Sequence, residues 1–318
     1  MNQVRGPFVA RLLVVGSSNT DMTVRLARLP APGETVLGGS FLTGPGGKGA
    51  NQAVAAARAG GRVTFVSAVG DDRFGRDAVD GYRRDGIDVK DVRVVPGAAS
   101  GVALILVGEG GENLIGVAPG ANAGLGSDDI DRLPAALFQP DGLLLIAGLE
   151  VPLSAVAGAV ARGSAAGMRV VLNPAPVDDG LIDSGFLDAL TVITPNRVEL
   201  GRLTGRSVET PDHVAEAARL LRDRGPKAVV VTLGADGCLV VDSQGTRAIP
   251  SHPVDAVDTV GAGDAFTAAL AVGLAEGRSL DDSAAWATAA AALSVTKPGA
   301  QASMARRDAI DRLAATRR

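Results

Sequence analysis

The 318-residue sequence predicts an α/β protein: three layers, α/β/α, around a mostly parallel central sheet, with a small β-sheet lid. Two observations carry this. Short runs rich in Leu and Val alternate with alanine-rich segments of helical period, the pattern of strands joined by crossover helices. Two segments, 21–41 and 100–118, break the alternation with strand-like residues and turns but no helix between them. A length of roughly 150 residues per domain allows two domains. No Pro- or Ser-rich linker divides the chain, so 1–318 reads as a single domain whose lid is formed by about 17–45 and 98–122.

The elements follow in order. The first apolar run, 8–15, is broken by Arg11 and lacks the basic leader and small-residue cleavage site of a signal peptide, so it reads as a strand covering 12–16. Residues 50–59 have a helical pattern closed by Gly60 and Gly61, which suit the left-handed turn after a helix. A strand over 63–69 and a helix over 74–85 come next. In the second irregular segment, apolar runs at 102–107 and 113–117 flank Gly108-Glu109-Gly110-Gly111-Glu112, a hairpin signal. Strands are expected at 142–147, 169–172, 191–194 and 228–232, and helices at 154–166, 211–224 and 265–275.

Composition excludes several functions. Hydrophobic residues at 46% and charged residues at 21% belong to a chain with a full core, not a disordered one. Lys plus Arg number 31 against 35 Asp plus Glu, a net charge of −4, and aromatics are 3%. Neither charge nor stacking surface favours nucleic acid. The longest apolar stretches, 143–149 and 284–295, are shorter than the roughly 18 to 20 residues a bilayer requires, so no membrane partner is expected and the cytoplasm is the expected location. Cys238 is the only cysteine and His213 and His252 the only histidines, too few for a disulfide framework or a zinc site of Cys and His.

Glycine is the informative excess: 42 residues, about 13%, against a usual figure near 7%. The run Gly44-Pro45-Gly46-Gly47-Lys48-Gly49-Ala50-Asn51-Gln52 contains G-x-G-x-x-G, but it does not follow the first strand, and no Ser or Thr follows Lys48 as a phosphate-binding P-loop requires. It reads either as a tight turn with a solvated lysine or as a turn feeding a helix whose Lys48 and Asn51 donate to an oxygen-rich ligand. The run 258–266, Asp-Thr-Val-Gly-Ala-Gly-Asp-Ala-Phe, precedes the helix 265–275. There Gly261 and Gly263 leave backbone N–H groups to converge on an anion. Asp264 is then either a helix cap or a base set to take a hydroxyl proton beside that anion. Thr194-Pro195-Asn196-Arg197-Val198-Glu199 is a capping box or a pair holding hydrated Mg²⁺. Thr232-Leu233-Gly234-Ala235-Asp236-Gly237 is a strand end entering a glycine turn, as ligand sites and plain hairpins both do.

Together these four ordered segments resemble the signatures of the ribokinase-like (PfkB-type) carbohydrate kinase family, and the resemblance spans nearly the whole chain. Residues 46–52 look like its N-terminal signature and 258–266 like its C-terminal one. Residues 16–21, 32–35, 101–105, 120–123 and 173–176 fit the ribose-phosphorylating branch. The resemblance implies a ribokinase-like fold and transfer of the ATP γ-phosphoryl group to the 5-hydroxyl of D-ribose. It implies that Asn19, Asp21, Gly47, Lys48, Gly49, Asn51 and Glu150 line the sugar pocket and that Asp264 is the base. Gly261, Ala262 and Gly263 would form the anion hole, and Asn196 and Glu199 would handle phosphate and Mg²⁺. Thr232, Leu233, Gly234, Ala235, Asp236 and Gly237 would flank the nucleotide with Gly263, and Thr288 would lie near adenine, where many relatives carry histidine. A K⁺ ion would be held by Asp258, Val260, Ser294, Lys297, Gly299 and Ser303, and a homodimer would form through the lid. The alternatives are a kinase for another furanose or a nucleoside, a non-catalytic sugar sensor on the same scaffold, and an NAD-dependent oxidoreductase.

Overall fold

A computed structural model describes residues 10–316. Nine strands form the central sheet: β1 (Arg11–Gly16), β4 (Arg62–Gly70), β5 (Val92–Val95), β8 (Leu143–Ala147), β9 (Arg169–Asn173), β10 (Val192–Ile193), β11 (Ala228–Thr232), β12 (Cys238–Asp242) and β13 (Gly245–Ile249). Their order is β13-β12-β11-β10-β9-β8-β1-β4-β5. All neighbours are parallel except the β11–β12–β13 edge, which is antiparallel. Four strands build the second sheet: β2 (Asn19–Leu26), β3 (Ser40–Gly46), β6 (Gly101–Gly108) and β7 (Asn113–Ala118), in the order β3-β2-β6-β7. The helices are α1 (Lys48–Arg58), α2 (Arg73–Arg84), α3 (Ser127–Asp131), α4 (Leu153–Ala165), α5 (Arg197–Thr204), α6 (Pro211–Arg222), α7 (Ala262–Ala275), α8 (Leu280–Ser294), α9 (Ala300–Ser303) and α10 (Arg307–Ala315).

Strand period two assigns the sheet's faces. Leu12, Val14, Leu143, Leu145 and Ala147 join one core with α1, α7 and α8. Leu13, Val15, Leu144 and Ile146 join the other with α4 and α6. Every residue of β8 is buried, as expected for a parallel strand covered on both faces. Helix α7 is apolar nearly all round because it lies inside one layer, between α1, α8 and the sheet. The same burial explains the apolar stretch 284–295, which is the greater part of α8 with its C-cap Val295. Among the described residues no helix is long and apolar enough to cross a membrane.

Several boundaries move. The strand expected at 191–194 keeps only Val192–Ile193, because Thr194 turns its hydroxyl toward Thr267 of α7 and the chain enters the cap of α5. The part of the run 8–15 before residue 10 lies outside the described residues. Segment 21–41 supplies strand only at its two ends. The glycine run joins β3, a strand of the second sheet, to α1, which removes the setting a dinucleotide fingerprint needs.

Candidate active site

The implicated residues gather at the carboxyl ends of the parallel strands, where α/β sheets bind ligands. Glycine makes this crossing close enough. A Cβ on Gly49 would lie 2.3 Å from the Ser17 nitrogen, and one on Gly16 would lie 2.7 Å from both the Ala147 oxygen and the Gly49 Cα. At Gly47, φ is +87° and a Cβ would lie 2.7 Å from the Asn19 nitrogen. Gly47 and Gly49 therefore serve the pocket by letting α1 begin against the β1–β2 connection.

Glu150 follows β8 and accepts hydrogen bonds from the Lys48 backbone N–H at 3.0 Å and from the Ser17 hydroxyl. Its carboxylate thus fixes the first turn of α1 at the pocket wall. Asn19 is buried, and its Oδ1 accepts the Asn122 amide at 2.7 Å. That bond sets the Asn19 amide so that its own NH₂ is the end left to donate. Asp21 stacks on Gly46, where a Cβ would meet its carboxyl at 2.0 Å. Burial, then the carboxylates of Glu150 and Asp264, raise its pKa to about 6, against a lowering by Lys48.

Asp264 is buried in the first turn of α7 and does not cap it; Gly261 holds the N-cap position. One carboxylate oxygen accepts the Asn51 amide and the other the Gln52 amide, each at 2.9 Å. Burial raises its pKa, and Lys48, Asn51 and Gln52 act against that rise. Burial lowers the Lys48 pKa while Asp264, Glu150, Glu199 and Asp21 raise it, and the balance is upward. Lys48 stays charged and is the cation facing four carboxylates.

A cavity of about 200 Å³ is lined by Lys48, Asn173, Asn196, Glu199, Thr232 and residues 261–264, among others. Next to it, a trough of about 470 Å³ shares Thr232, Thr259, Ala262 and Gly263 and continues along Ala235, Val254, Thr288 and Ala292. The small chamber is polar and charged, and the trough is mostly apolar. The Ala262 N–H is taken by the Thr259 oxygen at 3.2 Å. The N–H groups of Gly263 and Asp264, also in the first turn, have no acceptor within the helix.

The capping box at Asn196 and Glu199 is present, with both side-chain-to-backbone bonds at 2.8 Å, and both residues line the polar chamber. Burial raises the Glu199 pKa. Of the run 232–237, Thr232, Gly234, Ala235 and Gly237 line the trough. Leu233 packs on the core, and Asp236 is exposed 3.7 Å from Arg197, so neither lines it. Thr288 is buried on the trough wall and donates to the Ala285 oxygen. Asp258 ties two loops together, accepting the Val260 N–H at 3.0 Å and the Gly299 N–H at 2.9 Å. Its own N–H reaches the Val295 oxygen, next to Ser294. Ser303 is buried on α9, whereas Lys297 is exposed, leaving its carbonyl as the group a cation could use. Burial pushes the Cys238 thiol up to about 12, too high for a nucleophile.

Sequence reasoning gave no role to Gln52, Asn122 or Asn173, although all three lie in quoted segments. Each is buried and polar, and each has a partner 100 or more residues away in the chain.

The chain matches the description "pfkB family carbohydrate kinase" over residues 9–307. It is similar to the ribokinase of Haemophilus influenzae, 39% identical over 92% of this chain and 94% of that one. It is also similar to the deoxyribokinase of Salmonella typhi, at 38% over 92% and 94%. The solved structure of Arabidopsis thaliana ribokinase complexed with ribose and ATP superposes with a TM-score of 0.85 at 32% identity, covering 96% of this chain and 99% of that one.

Proposed function

The chain belongs to the pfkB family of carbohydrate kinases, and from this premise we propose that it transfers the γ-phosphoryl group of ATP to the 5-hydroxyl of D-ribose, giving D-ribose 5-phosphate and ADP. The observation that carries the reading is Asp264, a buried carboxylate held by two amides beside Lys48, in the helix turn that opens on the polar chamber.

The sugar binds between β2 and the start of α1, with Asn19 donating, Asp21 accepting, and Lys48, Asn51 and Glu150 completing the wall. ATP lies in the trough with its phosphates directed to the chamber. The sugar oxygen attacks the γ-phosphorus, the bond to the ADP oxygen breaks, and the hydroxyl proton passes to Asp264. The transition state is loose, so positioning and charge stabilisation contribute more than base strength. The N–H groups of Gly263 and Asp264 and the Lys48 ammonium offset charge on the transferring group. A Cβ on Gly263 would meet nothing within 4 Å, which leaves room there for that group.

Mg²⁺ and K⁺ belong to the same reading. Four carboxylates around one lysine, with an Asn–Glu pair already satisfied as a cap, suit a Mg²⁺ that keeps its waters and binds mainly phosphate. Asn196 and Glu199 would hold it through those waters, and it would neutralise phosphate charge. The loops tied by Asp258 offer carboxylate, hydroxyl and carbonyl oxygens, a hard donor set that suits K⁺. They sit behind the anion hole, since a Cβ on Gly261 would lie 3.2 Å from the Ala300 Cα. Asp258, Val260, Ser294, Gly299, Ser303 and the Lys297 carbonyl would supply the ligands. The second sheet serves as lid and as homodimer contact, and the enzyme works in the cytoplasm, where its ATP is.

A coupled assay with ATP, Mg²⁺, K⁺ and a panel of pentoses, hexoses and nucleosides tests this. D-Ribose is expected to give the highest kcat/KM, with replacement of K⁺ by Na⁺ lowering the rate. Because a deoxyribokinase is among the relatives, 2-deoxyribose is the decisive comparison. Preference for it or for a nucleoside would overturn the substrate, and sugar binding without turnover would overturn the reaction.

A further inference from the structure

We infer that Gln52 and Asn173 are positioning residues, forming a one-directional chain of hydrogen bonds that runs from the Thr194 carbonyl to Asp264 and holds that carboxylate ready to accept a proton. The inference rests on the assignment of Asp264 as the base.

The direction of the chain follows from its fixed end. The Thr194 carbonyl can only accept, so Asn173 must present Nδ2 to it, at 3.0 Å. The Asn173 Oδ1 then faces Gln52, which must present Nε2, at 3.0 Å. The same Nε2 reaches one Asp264 oxygen at 2.9 Å, while the Asn51 Nδ2 reaches the other at 2.9 Å. Turning the Gln52 amide over would set its oxygen against two acceptor oxygens. Each Asp264 oxygen therefore meets an N–H, an arrangement that suits the ionised carboxylate and leaves its remaining lone pairs to the chamber.

The orphaned atoms point to function and not to folding. Among the described residues, the buried Asn51 Oδ1 and Gln52 Oε1 have no hydrogen-bond partner. A network selected for stability alone would pair them. Both amides have given up an acceptor in order to aim a donor at Asp264. The charged groups facing Asp264 are Lys48 from α1, Glu150 after β8, Glu199 from α5 and Asp21 from β2. Three of these four are acidic, so without the amide donors the proton would be held more tightly.

The test is the pH profile of kcat. Gln52→Met removes the donor at similar length. We expect turnover at pH 7.5 to fall about tenfold to a hundredfold. KM for sugar and ATP should stay within about threefold, and the acid limb should move up by about one pH unit. Asn173→Leu releases the Gln52 amide and should give a smaller shift in the same direction. Since Asn173 acts through Gln52, the double variant should be no slower than Gln52→Met. If Gln52→Met does not fold, Gln52→Glu of equal size should move the acid limb the same way; ADP affinity confirms the fold in each case. An unmoved acid limb, or additive losses in the double variant, would overturn the inference. Asp264→Asn is the control: if it still turns over, the base assignment itself fails. If it is inactive while Gln52→Met behaves as wild type, only the present inference fails.

Discussion

Asp21 sits on β2 with its carboxyl against the Gly46 backbone, facing Glu150, Asp264 and Lys48. A pKa raised to about 6 means that the ligand-free fold favours the neutral acid. The sign follows: the stability this gives is complete below the unfolded value near 3.9 and is lost as pH rises through about 6. At pH 7.5 the ionised, half-buried group is a cost that sugar hydroxyls would offset. Asp21→Asn should raise the Tm of the apo protein by about 2–4 °C at pH 7.5 and leave it unchanged near pH 3.5. It should also raise the sugar KM at least about tenfold. Melting curves at the two pH values with saturation kinetics check this, and equal Tm gains at both would contradict the sign. Asp264 differs in kind, because in the proposed reaction it receives the proton of the sugar hydroxyl. Asp264→Asn should lower kcat by about 10² to 10⁴ and leave ADP binding, measured by calorimetry, within about threefold of wild type.

The turn opening α7 separates two uses of glycine. Gly261 has φ +79°, and a Cβ there would lie 3.0 Å from the Met304 methyl and 3.2 Å from the Ala300 Cα. Gly263 is helical with open space around it. Gly261→Ala should therefore lower both Tm and turnover. Gly263→Ala should hold or slightly raise Tm, because Ala favours helix by about 0.5–1 kcal/mol, and should cut kcat about tenfold or more by placing a methyl in the chamber. Differential scanning fluorimetry beside initial rates distinguishes them; a fall in Tm for Gly263→Ala would place it with Gly261. From sequence the two glycines look alike; the left-handed φ of Gly261 and the packing of α9 behind it set them apart. The same limit governs the rest of the chain. Strands β1, β4, β8, β9 and β11 are legible because they are short apolar runs between helical patterns. Helix α8 is not, because burial on opposite sides erases its period, and its residues 284–295 read only as apolar. The capping box at Asn196 and Glu199 is legible as a box because its bonds span three residues. The Gln52–Asn173–Thr194 chain is not, because its fixed directions arise only when α1, β9 and the segment after β10 meet.

The second sheet joins the site to the question of assembly. Cross-strand register aligns Asp21 with Ala103 and Val117, and Thr23 with Leu42, Ile105 and Ile115. Side chains two apart on a strand share a face, so Leu42, Ile105, Ile115 and Val117 extend the face that carries Asp21. Leu42 is 55% exposed, Ile115 57% and Val117 47%, and every residue of β7 is exposed. An apolar sheet face of this kind marks an interaction surface. In the proposed homodimer a second copy of this sheet would cover it, since an isologous contact sets the same apolar residues against themselves. Dimer contact on the Asp21 face would hold β2 over the pocket, so loss of the dimer should weaken sugar binding more than nucleotide binding. The variant Leu42→Glu/Ile115→Glu places two like charges in each half of that contact without touching the central core. Sedimentation should show a monomer, with the sugar KM raised about tenfold or more, the ATP KM within about threefold and Tm changed little. A variant that stays dimeric, or a monomer with unchanged sugar KM, would separate lid closure from assembly and leave the four-stranded sheet acting as a cover within one protomer.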